Sequence, residues 1–142
     1  RWGGTAGLWI GRMSSRTLMT LEANWIQKGG GDTRVDYIEV PFTFGAVVRS
    51  GGGGGRARFY TGESVAFKIG CTSDLAIDPC PAAEGTEWGL PVGLMIGRWT
   101  TRERVVGIDA RYTFVLSEAF AGGVDNQTWQ FRVMVGRPAG RR

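Results

Sequence analysis

Apolar and polar residues alternate with a period of two along most of the chain, and the spacing of an amphipathic helix is absent. The alternation predicts seven strands, over about 2–12, 16–27, 35–49, 56–70, 86–99, 103–117 and 126–137. Most of these are longer than the roughly 5–6 residues of an ordinary globular strand. A tilted strand crossing hydrocarbon needs about 9–11 residues plus overhang, which fits them better.

The connections alternate too. Met13-Ser14-Ser15, the Gly51–Gly55 run and Thr100-Thr101-Arg102 join strands at one end, and Gly29–Arg34, Cys71–Gly85 and Ala119–Asp125 join them at the other. An up-and-down meander produces two such rims, the second carrying the longer loops. Charge sorts the same way. Arg12, Arg16, Arg49, Arg56, Arg98, Arg102, Arg104, Arg137, Arg141 and Arg142 fall at the short-turn rim, while Asp32, Asp36, Asp74, Asp78, Glu84, Glu87, Glu118 and Asp125 fall at the loop rim. An Arg-rich rim suits anionic headgroups, and a solvated basic end without a partner is the equal alternative.

Alternation does not say which face is inside, so each face needs its own evidence. The polar set comprises Glu22, Asn24, Glu39, Thr43, Arg58, Lys68, Asp109, Arg111, Thr113, Gln130 and Arg132, interspersed with Gly45, Gly93, Gly97, Gly107 and Gly136. Its charges are mixed in sign and glycine makes room between them, as a side-chain-filled lumen requires. Glu22, Glu39, Arg58, Lys68, Asp109, Arg111 and Arg132 are therefore the expected lumen charge network. The apolar set runs through Leu21, Ile38, Phe42, Phe44, Leu90, Ile96, Ile108, Phe114, Phe131 and Val133. Trp2, Trp25, Trp88 and Trp129 share that face and all stand at the loop-bearing ends of their strands. Indole rings collect at a membrane–water boundary, so these four form the expected aromatic girdle. By parity Glu63 faces outward in the middle of its strand. Either a bulge at Gly62 turns it inward, or it meets protein on the barrel wall.

Composition narrows the chemistry. In 142 residues there is no histidine, which removes His-dependent triads, His acid–base catalysis and His-ligated metal. Two cysteines do not complete a zinc site, so no metal and no cofactor is expected; Cys71 and Cys80 are read as a disulfide, with two free thiols as the alternative. The net charge is +4 and 24 residues are glycine, but the Arg positions describe a rim rather than a nucleic-acid groove. Gly51–Gly55 lacks the Gly-Lys-Ser/Thr of a phosphate loop. The chain starts at Arg1 within a predicted strand, with no initiator Met or leader, and is read as a mature or truncated product.

Three segments carry a family resemblance: Leu21-Glu22-Ala23-Asn24-Trp25-Ile26-Gln27-Lys28-Gly29, Tyr37-Ile38-Glu39-Val40-Pro41-Phe42 and Ile108-Asp109-Ala110-Arg111-Tyr112-Thr113-Phe114. They resemble the outer-membrane β-barrel domain family that includes PorT-like proteins. In that family a strand ending in Gln-Lys-Gly precedes one carrying Ile-Glu-Ile-Pro, and a later strand has a Glu-Ala-Arg-Tyr core, here with Asp109 in the acidic place. The resemblance covers most of the chain. It implies eight strands, both termini in the periplasm and no catalytic residues. Arg1–Arg12 is similar to the family's second strand, so the first has no counterpart here, and Gly136–Arg142 lacks the terminal aromatic such barrels often carry.

The expectation is one all-β domain over 1–142, an antiparallel up-and-down transmembrane barrel with seven of about eight strands visible. It is expected to be non-enzymatic and to lie in the bacterial outer membrane, loops outward and Arg-rich turns toward the periplasm. Membrane lipid is its expected surrounding. Envelope proteins could meet it at the loops, at the open seam left by the missing strand or at the wall near Glu63, and nucleic acid is not expected. The alternative is a soluble barrel with its apolar face inward around a small apolar ligand. An enzyme relying on Glu22 and Asp109 alone ranks third.

Overall fold

The computed structural model describes residues 4–14, 16–28, 33–49, 54–74, 80, 85–99, 105–116 and 128–136. Seven strands follow one another, β1 (Thr5–Met13), β2 (Thr17–Lys28), β3 (Thr33–Arg49), β4 (Gly55–Ser73), β5 (Thr86–Trp99), β6 (Val105–Val115) and β7 (Thr128–Gly136). Each pairs antiparallel with the next, giving one sheet in the order β1 to β7. The predicted strands and the observed ones coincide to within about three residues at most ends, because an uninterrupted two-residue period leaves only the boundaries open.

Two of the connections set the strand ends. Between β1 and β2 the Ser14 amide donates to the Thr17 carbonyl at 2.8 Å. Between β3 and β4, Gly54 takes a φ of 79°, a left-handed conformation that a residue with a Cβ adopts only at a cost. The β3–β4 hairpin is the longest ladder, running from Thr33↔Ser73 to Arg49↔Arg56 with one register shift at Asp36/Tyr37. It projects past its neighbours at the loop end. Arg12, Arg16, Arg49, Arg56 and Arg98 all stand at the opposite, short-turn end; Arg102, Arg104, Arg137, Arg141 and Arg142 lie outside the described residues, as do Asp32, Asp78, Glu84, Glu118 and Asp125.

The sheet curls into a half-barrel, and its two faces have opposite characters. The convex face leaves large apolar side chains in the open, among them Ile10, Phe42, Phe59, Ile96, Ile108, Phe131 and Val133. The concave face buries Glu22, Asn24, Glu39, Arg58, Asp109 and Arg111 to within 4 % exposure. An apolar interior around a ligand would need the reverse orientation.

Two small apolar clusters flank the buried charges. Tyr60, Met95, Val105 and Met134, with Trp9 against them, fill the concave side toward the short-turn end. Ile26, Val35, Tyr37 and Ala66, packed against Cys71, fill it toward the loops. The polar layer is thus held between two apolar layers, with side chains occupying the interior.

The edges of the sheet are β1 and β7, and no ladder joins them among the described residues. A cleft of about 370 Å³ lies between them, lined on one side by Thr5, Gly7 and Trp9 and on the other by Arg132 and Met134. Seven alternating strands leave the first and last running in the same direction.

Candidate functional site

The buried charges of the concave face form a closed ring drawn from four strands. Glu22 on β2 accepts from Arg111 Nη2 on β6 at 2.7 Å and from Arg132 Nη1 on β7 at 2.7 Å. Arg132 also donates to Asp109 Oδ2 on β6, through Nε at 3.0 Å and Nη2 at 2.5 Å. The Tyr60 hydroxyl on β4 donates to Asp109 Oδ1 at 2.7 Å and accepts from Arg111 Nε at 3.1 Å. The circuit Glu22–Arg132–Asp109–Tyr60–Arg111 therefore returns to Glu22. Asn24 adds a donor to Glu22 at 3.0 Å.

Two carboxylates against two guanidiniums neutralise each other, which is the condition for keeping charges this deep. Each acid takes two or more donors, so removing a member leaves a buried charge short of partners. Both carboxylates of the ring are held by guanidinium groups. Among the described residues no group of three His, Cys, Asp or Glu side chains is placed to hold a metal ion.

The seven charges expected to share one network occupy four places. Glu22, Asp109, Arg111 and Arg132 make the ring. Glu39 is buried apart from it and accepts from Gln130 Nε2 at 3.3 Å. Arg58 lies toward the short-turn end, where Nη2 donates to the Leu18 carbonyl at 3.1 Å and to the Thr43 hydroxyl at 2.8 Å. Its guanidinium also stacks over Tyr60 at 4.6 Å, and among the described residues no carboxylate lies within 4.0 Å of it. Lys68 is near the loops and donates to the Cys80 carbonyl at 3.3 Å.

Tyr60 is the member that the polar pattern does not reveal, since an aromatic residue suits either face. Its signal is indirect: it shares parity with Arg58 and Lys68, and it stands between two glycines, Gly45 on β3 and Gly93 on β5. A Cβ on Gly93 would fall 2.3 Å from the tyrosine Oη. Glu87 stands at the loop end as expected, the second residue of β5. It points into the concave side, 2 % exposed, and pairs with Lys28. Asp36 and Asp74 are at the loop end as expected.

On the convex face Trp88 and Trp129 are 57 % and 65 % exposed, and Trp25 is half-buried. All three sit within a few residues of the loop-bearing ends of their strands. Trp129 packs with Tyr112 (centroids 4.8 Å apart) and Phe131 (6.2 Å), and Phe114 meets Tyr112 edge-on at 4.6 Å. Trp2 lies outside the described residues.

Cys71 and Cys80 form a disulfide with Cα atoms 5.7 Å apart, tying the end of β4 to the loop that follows. Replacing both by Ser is expected to lower stability by about 2–3 kcal/mol, the loop-closure contribution of a short ring, with the far-ultraviolet spectrum unchanged. Denaturant midpoints with and without reductant check this. Equal midpoints would mean that the loop is already confined without the bond.

Comparisons with protein-family models, with curated proteins and with solved structures returned no match to this chain.

Proposed function

We propose that this chain is a non-enzymatic β-barrel protein of the bacterial outer membrane, a surface module or a component of a larger envelope assembly. The observation that carries this reading is the orientation of the two faces. Large apolar side chains cover the exposed convex surface while charged side chains are buried behind it. A soluble protein seldom leaves a contiguous apolar surface of more than a few hundred Å² in water. Against lipid the same surface is the stable one, and the backbone of a curled antiparallel sheet can satisfy itself there.

Three further features support it. Trp25, Trp88 and Trp129 lie within a few residues of the loop-bearing ends of their strands, where indole would meet the boundary between hydrocarbon and water. The disulfide suits an oxidising compartment. The resemblance to the PorT-like outer-membrane barrel family points to the same location, with loops outward and the Arg-rich end in the periplasm. The open seam between β1 and β7 belongs to this reading as well. In lipid its unpaired backbone groups require an eighth strand or a partner.

The ring and its two apolar flanking clusters fill the interior, so the barrel is a solid module and not a channel. Refolded into phospholipid vesicles, the protein is expected to float with lipid in a density gradient and to show no unitary conductance. Protein left in the aqueous fraction would overturn the membrane reading; discrete conductance steps would overturn the filled lumen.

A further inference from the structure

The convex wall carries one charge where none is expected. Glu63 lies nine residues into β4, exposed, directly opposite Phe42 of β3. The register runs from Thr61↔Val92 to Ser64↔Gly89 without a slip, which places Leu90 of β5 on its other side. The bulge that would turn Glu63 inward is therefore absent, and the irregularity in β3–β4 sits far from it, at Asp36/Tyr37. Strand parity puts every other charged side chain of the convex face near one rim or the other among the described residues. No cation lies within 4.0 Å of Glu63 among those residues.

We infer that Glu63 marks a lateral docking surface for another envelope protein, one whose membrane-spanning wall presents an arginine or lysine at the same depth. This rests on the outer-membrane reading above. A bare carboxylate facing hydrocarbon is unfavourable, and the protein has room to hide it, since the neighbouring Gly62 would tolerate a bulge. The sheet instead keeps its register and presents the carboxylate outward. Complementary charge selects the occupant. A cation brought against Glu63 replaces lipid by an ion pair in a medium that hardly screens it. A second copy of this chain docked face to face would set two carboxylates together, which is repulsive.

The test uses the whole protein in vesicles and two synthetic membrane-spanning probes, a leucine–alanine peptide with one central arginine and its wholly apolar counterpart. With fluorescent labels on both partners, energy transfer should show the arginine peptide binding roughly tenfold more tightly, the scale of one polar contact within a membrane. The preference should vanish in Glu63→Leu and weaken in Glu63→Gln. Equal binding of both peptides, or a preference that survives Glu63→Leu, would overturn the inference. So would self-association of the chain that depends on Glu63 without any preference for arginine, since a second copy would then be the occupant. A protein that fails to float with lipid fails at the earlier reading, and this inference falls with it.

Discussion

Replacing Glu22 by Leu is expected to destabilise the protein by about 3–5 kcal/mol, the cost of stripping one partner from a buried ion pair. Glu22 is the carboxylate of Arg111, which is 0 % exposed and, among the described residues, keeps the Tyr60 hydroxyl as its one hydrogen-bond partner once Glu22 is gone. Arg132 loses one of two carboxylates and retains Asp109. The reverse experiment should cost about as much. In Arg132→Met, Glu22 still has Arg111 and Asn24, but the buried Asp109 loses its ion-pair partner and keeps the Tyr60 hydroxyl, so the loss should again be about 3–5 kcal/mol. Urea titration in vesicles followed by tryptophan fluorescence gives both numbers. If either change cost less than about 1 kcal/mol, the ring would not hold the concave side together as described.

Adding single methyl groups beside Tyr60 should be nearly as harmful. A Cβ on Gly45 would stand 2.2 Å from the Phe59 carbonyl oxygen and 2.6 Å from Tyr60 Cβ, and a Cβ on Gly93 would stand 2.3 Å from the tyrosine Oη. At Gly45 the obstacle is backbone, so the strands must separate. At Gly93 the ring tip can move, but only by giving up its bonds to Asp109 and Arg111. Each Gly→Ala change is expected to cost about 1–3 kcal/mol from overpacking, Gly45 at least as much as Gly93. Gly85→Ala meets nothing within 4 Å and should stay within about 0.5 kcal/mol of the parent. A double-mutant cycle isolates the cause: with Tyr60→Leu in place, Gly93→Ala should cost about 1 kcal/mol less than it does alone. Additive losses would show that Tyr60 is not what the glycine accommodates.

These two experiments also mark where the amino-acid pattern stops being informative. The run Ile108-Asp109-Ala110-Arg111-Tyr112-Thr113-Phe114 reveals its conformation and its two faces at once, because a strand's side chains alternate by geometry. The same run says nothing about how far each strand is shifted along its neighbour. That shift, accumulated over six ladders, decides that Arg132 meets Glu22 110 positions away and that Arg58 meets hydroxyls and carbonyls instead of an acid. Glu87 stands at the loop end, and its parity, shared with the buried Gly89 and Pro91, turns its side chain to the concave face. At Glu63 the alternation was correct and the proposed bulge unnecessary. Glycine's tolerance of a bulge is a permission, and an unbroken ladder to β3 with an unshifted register to β5 leaves it unused.

The apolar convex face is the centre of the account, and tryptophan depth probes it most directly. Variants retaining only Trp25, only Trp88 or only Trp129, with the other tryptophans changed to Phe, would be placed in vesicles of lipids brominated at graded positions along the acyl chain. All three should be quenched most strongly by the shallowest bromines and to the same extent, as side chains of one belt near the loop end. Tryptophans that stay unquenched at every bromine position, or that report three different depths, would contradict it.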